Sequence, residues 1–201
     1  MKNVVVLIGG KGTSGKSTFI SYVQEILGAN KCQEFSTIDP VKEIVEFMRS
    51  LEEAAIMASL GLSQYQYHLD PSPLSKEIIE KTDKYRSLLH DIKMIWCDVD
   101  DGPNVITFGK VQHFFTNNGE IAFVNCREPE QFAHIIDTLS KSKPEWTIVT
   151  LNIIRDGAGD TITNQGDQDT NNFKYDITIN NNGTLEDLKN KAKVFVDTFY
   201  F

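Results

Sequence analysis

Apolar residues along this chain follow two rhythms that alternate from end to end. Val4-Val5-Val6-Leu7-Ile8 is an unbroken, largely β-branched run, the pattern of a strand covered on both faces. After a glycine-rich turn the rhythm changes: Phe19, Ile20, Val23, Ile26 and Leu27 recur at helical spacing and Gly28 supplies a stop, so a helix is predicted over about Lys16 to Leu27. A weaker strand over Glu34 to Ile38 runs into Asp39-Pro40, where Pro40 suits the first position of a helix carrying Ile44, Val45, Met48 and Leu51. Helical spacing then dominates to about Asn118, with Leu88, Leu89, Ile92 and Ile95 on one face and a predicted loop over Gln64 to Pro73. Further strands are predicted at Ile121 to Val124, Trp146 to Leu151 and Tyr175 to Ile179. Helices are predicted from Pro129 to Leu139 and, after an N-cap at Thr184, through Leu185, Leu188, Ala192, Phe195 and Val196.

Short apolar strands separated by helices, with no repeat and no linker, imply an α/β fold: a five-stranded parallel sheet with helices on both faces, in one domain spanning residues 1–201. Two segments break the alternation. The helical block over 39–118 is too long for one crossover, and the polar stretch from Arg155 to Asn172 is too long for a plain connection, so both are expected to be insertions over a ligand site. In such sheets ligands bind beyond the carboxyl ends of the strands.

Charge narrows the field of partners. With 20 Lys+Arg against 28 Asp+Glu the formal net charge is -8, so there is no broad basic face for a nucleic-acid backbone or an anionic membrane, and phosphate chemistry must rest on a few placed cations. No apolar run is long enough for a bilayer span, and the expectation is a cytoplasmic protein. Cys32, Cys97 and Cys126 are odd in number and widely spaced, which argues against both a disulfide framework and a structural zinc site.

Against that background Gly10-Lys11-Gly12-Thr13-Ser14-Gly15-Lys16-Ser17 stands out, because it matches the phosphate-binding P-loop pattern and lies directly between a buried strand and a helix. A chance match somewhere in such a chain is on the order of 1%, which disfavours a mere glycine turn. The glycines let successive N–H groups, on through Thr18, face a phosphate; the helix N-terminus adds partial positive charge; Lys16 reaches the terminal phosphates; and Ser17 offers its hydroxyl to Mg²⁺.

With this loop, Asp39-Pro40-Val41-Lys42, Asn125-Cys126-Arg127-Glu128, and the run Ile179-x-Asn181-x-Gly183-x-Leu185-x-x-Leu188, the chain resembles the P-loop nucleoside monophosphate kinases, most closely the phage-type deoxynucleoside monophosphate kinases and their bacterial relatives. The resemblance implies a P-loop NTPase three-layer sandwich that uses ATP and Mg²⁺, with 39–118 as the acceptor-binding insertion and 155–173 as a lid-like segment. It implies that Arg127 grips the acceptor phosphate or bridges the substrates, that Arg155 swings onto the transferring phosphoryl group, and that Arg86, in Arg86-Ser87-Leu88-Leu89, lines the acceptor pocket with Asp39 and Lys42. Asn181 would lie near the donor adenine. The expected partners are small-molecule nucleotides, and a homodimer through the helical insertion is compatible with the sequence without being required by it.

Each residue also has a plainer role open to it: an ion pair with Glu128 or Glu130 for Arg127, a solvated helix face for Arg86, and helix capping for Asp39 beside a surface Lys42. Two departures bear on activity. The lid-like segment is poor in arginine, and Asn125 stands where the phage-type pattern has an aspartate, so that Glu128, acting through water, is the candidate to supply the lost charge. The alternatives are therefore a P-loop kinase of another small metabolite, or a nucleotide-binding regulatory protein with little turnover. Asp98-Val99-Asp100-Asp101-Gly102 fails the calcium-loop spacing and is expected to be a turn, and His68, His90, His113 and His134 show no metal-ligand spacing.

Overall fold

The computed structural model of the chain describes residues 3–59, 83–126, 129–158 and 173–200. In chain order the described elements are β1 (Val4–Gly9), α1 (Lys16–Leu27), β2 (Cys32–Ser36), α2 (Asp39–Ser59), α3 (Asp83–Asp100), α4 (Gly102–Thr116), β3 (Ile121–Asn125), α5 (Pro129–Ser142), β4 (Thr147–Ile154), β5 (Ile177–Asn180) and α6 (Leu185–Tyr200).

All five strands pair in parallel, in the order β2-β3-β1-β4-β5. Every residue of β1 is buried, as its unbroken apolar run requires for a strand flanked on both sides and covered on both faces. The alternation of side chains along β1 assigns its residues to two cores. Val4, Val6 and Ile8 pack with Phe19, Ile20 and Val23 of α1 and with Leu188, Ala192, Phe195 and Val196 of α6. Val5 and Leu7 pack on the opposite face with Val111 and Phe115 of α4, Phe132, Ile135 and Leu139 of α5, and Trp146. This is the expected α/β architecture, with helices on both sides of a five-stranded parallel sheet.

The chain divides into two compact units, Ile38–Ile106 and the remainder, with the second division falling inside α4. In the smaller unit α2 and α3 pack against each other. The helical stretch read from sequence as 39–118 thus ends its separate unit at Ile106, because Val111 and Phe115 are committed to the sheet. Asp98 to Asp100 continues α3 rather than forming the expected turn, and the corner to α4 is the single residue Asp101: it takes φ 58, Gly102 N–H donates to Asp100 Oδ1 at 2.9 Å, and Asn104 Nδ2 donates to Asp101 Oδ1 at 2.6 Å.

Strand ends differ from the pattern-based reading for identifiable reasons. β2 stops at Ser36 because the chain turns there: Thr37 N–H reaches Asn125 C=O at 3.2 Å. β4 continues past Leu151 to Ile154, since polar Asn152 keeps its place in both ladders, opposite Gly9 on one side and Thr178 on the other. β5 begins only at Ile177; Asp176 Oδ2 instead accepts from the backbone and hydroxyl of Thr150, each at 2.8 Å. The predicted loop over Gln64 to Pro73 lies outside the described residues. Among the described residues the three cysteines form no disulfide and no helix is long and apolar enough to cross a membrane.

Candidate functional site

The loop from Gly10 to Gly15 leaves the carboxyl end of β1, the central strand, and enters the first turn of α1. Its backbone takes the left-handed region at Gly10 (φ 126), Thr13 (φ 63) and Gly15 (φ 99). Two of these are glycines, which adopt such angles freely; Thr13 does so at a cost that the neighbouring bonds must offset. Gly15 is the N-cap of α1, no side chain caps the helix, and the first turn carries no acidic residue. The first backbone bond of α1 runs from Phe19 N–H to Gly15 C=O at 2.9 Å. The amides of the turn before it therefore have no intrahelical acceptor, and the helix dipole places partial positive charge beside them.

Lys16 folds back across the loop. Its ammonium donates to Gly10 C=O and, at 2.9 Å, to Lys11 C=O, while Ser14 N–H donates to Lys11 C=O at 3.3 Å. The cation is thus held at the concave side of the turn whose carbonyls it touches. Ser17 and Thr13 are exposed, Lys11, Gly12 and Thr18 are half-buried, and Ser14 is buried.

Behind the loop lies a group of polar atoms that the sequence did not bring together. Ser14 Oγ, Asn152 Oδ1 and Tyr175 Oη are buried without a hydrogen-bond partner among the described residues. A Cβ built on Gly10 would lie 3.0 Å from Ser14 Oγ and 3.5 Å from Asn152 Oδ1, so these two atoms converge on one glycine. Tyr175 lies against Gly9: its ring packs edge-on against Phe132 and Phe173, with centroids 5.5 and 5.0 Å away, and its phenol end crosses the place a Gly9 side chain would occupy. Burial, and then the Cys126 thiol, push the Tyr175 hydroxyl up to about 12.

A run of asparagines fastens the loop from β5. Asn181, 9% exposed, donates through Nδ2 to Ser14 C=O at 2.8 Å, and its own N–H donates to Ile154 C=O at 2.7 Å. Its side-chain amide is therefore spent on the Gly10–Gly15 loop. Asn182 holds the chain just after β4: its Oδ1 accepts from Asp156 N–H at 2.8 Å and its Nδ2 donates to Asp156 Oδ2 at 2.6 Å. Arg155, beside this clasp, is exposed. The helix that follows opens with a capping box, Thr184 Oγ1 accepting from Asp187 N–H at 3.2 Å and Asp187 Oδ2 accepting from Thr184 N–H at 2.8 Å. Thr184 is the expected N-cap.

On the other side of β1, Asn125 ends β3 opposite Ile8. Its Nδ2 donates to the carboxylate of Glu34 on the neighbouring strand and to Phe35 C=O at 3.4 Å. Glu34 thus brings an exposed carboxylate to the Asn125 side chain, a contact that nothing in the local sequence signals. Arg127 and Glu128 lie outside the described residues, as do 159–172. In the smaller unit Asp39 and Lys42 pair with each other at 3.3 Å across the first turn of α2, both partly exposed, and Arg86 falls on α3. Among the described residues no three His, Cys, Asp or Glu side chains gather as a metal cluster.

No family model and no curated protein matches the chain. Solved structures do align with it along almost its whole length. They include a sugar kinase from Janibacter sp. (16% identity, covering 98% of this chain and 95% of that one, TM-score 0.41), a protein provisionally given as a kinase from Chloroflexus aurantiacus (10%, 98% and 98%, 0.46), and a Thermus thermophilus protein (11%, 100% and 99%, 0.41).

Proposed function

We propose that the protein is a P-loop phosphotransferase that binds ATP and passes its terminal phosphoryl group to a small phosphate-bearing acceptor, a nucleoside or deoxynucleoside monophosphate. The observation that carries this reading is the loop itself: a buried central strand ends in a turn with three left-handed residues, a helix N-terminus free of acidic side chains, and Lys16 held over the turn. That combination suits a polyphosphate and little else, because it supplies N–H donors, a dipole end and a placed cation in an otherwise acidic protein.

The chemistry asks for no covalent intermediate. An acceptor phosphate oxygen is already ionised and nucleophilic at neutral pH, so catalysis rests on alignment and on neutralising charge spread over the transferring group. Lys16 exchanges the Gly10 and Lys11 carbonyls for phosphate oxygens, and an ammonium, with its three donors, does so without rearranging the helix. In this reading Arg155 and Arg127 supply charge to the transferring group, and Asp39, Lys42 and Arg86 serve the acceptor.

The donor set fits Mg²⁺ through the exposed Ser17 hydroxyl; most ligands of such an ion are phosphate oxygens and waters, so a cluster of carboxylates is not required. Bound there, the ion would neutralise charge on the terminal phosphates.

A coupled assay of ADP release across the common ribo- and deoxynucleoside monophosphates tests the proposal. The expected result is turnover stimulated by one of them. ATP binding with no stimulation by any monophosphate would overturn the kinase reading in favour of a nucleotide-binding regulator.

A further inference from the structure

We infer that Asn181 is a positioning residue of the phosphate loop: its side-chain amide sets the Ser14–Gly15 peptide so that the amides at the start of α1 stay turned toward an anion. This rests on the polyphosphate-binding reading of the loop given above. The argument begins with the peptide unit. In a trans planar peptide the carbonyl of one residue and the N–H of the next point in opposite directions. The Ser14 carbonyl is held by Asn181 Nδ2 at 2.8 Å, so the Gly15 N–H is directed away from Asn181.

The same bond keeps a second donor available. An α-helix extended backward by one residue would pair Thr18 N–H with Ser14 C=O. Here the helix begins one step later, with Phe19 N–H on Gly15 C=O, and the Ser14 carbonyl is taken by a side chain from the far end of the sheet. Asn181 thus competes with the helix for that carbonyl and leaves Thr18 N–H without an intrahelical acceptor. Without the clamp, little would resist rotation of this peptide, since it is flanked by a glycine at φ 99.

The clamp is rigid at its other end. Asn181 follows directly on β5, is 9% exposed, and donates its own N–H to Ile154 at the end of β4. It also accounts for glycine at position 15 independently of the backbone angle, because a Cβ there would overlap Asn181 Nδ2. Only a donor can do this work. Aspartate has the size of asparagine but, ionised, offers two acceptors to a carbonyl.

That polarity separates positioning from packing. The experiment is calorimetric titration of the full chain with sodium tripolyphosphate, a probe that engages only the phosphate-binding elements, at about pH 8 and well below the unfolding temperature, with the ATP KM measured in parallel. Asn181→Ala should weaken tripolyphosphate binding about tenfold, the loss of one buried hydrogen bond, and Asn181→Asp should weaken it further. The reverse order, with the isosteric aspartate milder than alanine, would mean that Asn181 merely fills space and would overturn the inference, as would native affinity in both. Should the aspartate variant fail to fold, Asn181→Leu replaces it: leucine keeps the volume without the donor, so affinity as low as that of alanine supports the clamp and near-native affinity overturns it. If the unaltered protein binds no tripolyphosphate, it is the polyphosphate reading itself that falls.

Discussion

Gly9→Ala probes the contact on which the rear of the loop depends. Gly9 does not need glycine for its backbone angle; it needs the absence of a side chain, because a Cβ would stand 2.9 Å from Tyr175 Cζ and 3.0 Å from Cε1, with the phenol oxygen closer still. The ring cannot retreat freely, being wedged against Phe132 and Phe173 with its hydroxyl buried. Alanine would gain about 0.5–1 kcal/mol over glycine in a strand, against about 1–3 kcal/mol for forcing a methyl into a filled core and about 0.5–1.5 kcal/mol for each aromatic pair disturbed. A net loss of about 1–3 kcal/mol is expected. Tyr175→Phe alone removes a buried hydroxyl that has no partner among the described residues and should be neutral or stabilising by about 1 kcal/mol. In the double variant the closest of the three overlaps is gone while those with the ring carbons remain, so the loss should shrink by about 1 kcal/mol without vanishing. Urea unfolding followed by the fluorescence of Trp146, which sits in the same core, gives all four corners of the cycle. Strict additivity, or a Gly9→Ala protein as stable as the parent, would refute the contact between Tyr175 and the end of β1.

Other outcomes follow from the same geometry. Lys16→Ala should lower kcat by at least about 10²-fold with an unchanged far-UV circular dichroism spectrum; unchanged turnover would remove the loop from the mechanism. Because the Tyr175 hydroxyl is raised from 10.0 to about 12, chiefly by burial, its neutral form is favoured in the fold. Its contribution to stability is full below pH 10.0 and is lost as pH rises toward 12, a slope that Tyr175→Phe should lack in urea midpoints measured across that window. Asp187 behaves in the opposite sense: hydrogen bonds from Thr184 hold its carboxyl below 3.8, so its contribution is present above that value and disappears as pH falls through the lower folded value. Asp187→Asn should flatten that part of the acid limb; an unchanged limb would dismiss the capping box as a source of acid sensitivity.

The most legible parts of the chain were those in which one local rule suffices. The helix over Lys16 to Leu27 and the cap at Thr184 follow from spacing and capping chemistry within a few residues, and both are present as expected. The interior strand β1 was legible because burial on both faces demands an unbroken apolar run. Strand ends were less so: β4 runs on through polar Asn152, and the start of β5 is set by Asp176 holding Thr150, pairings that no single segment encodes. Of the candidate site, Lys16 and the loop could be read directly, whereas the Glu34–Asn125 bond was invisible, because the parallel register pairs Asn125 with Ser36 and only the folded side chains show that Glu34, two residues back, reaches its amide. The bond from Asn181 to the Ser14 carbonyl was not readable at all, because nothing local joins two residues so far apart in the chain.

The sequence alone therefore determined the alternation of strands and helices, the glycine-rich loop between β1 and α1, and the acidic balance. Each of these is a property of neighbouring residues or of a sum over the chain. Tertiary structure alone decided which way the loop's peptides face and what stands behind them: Asn181 on Ser14, Tyr175 across Gly9, Asn152 beside Gly10. Those contacts join residues more than a hundred positions apart, and they exist because parallel pairing carries β4 and β5 past the end of β1, where buried polar groups and missing side chains must match in space rather than in order.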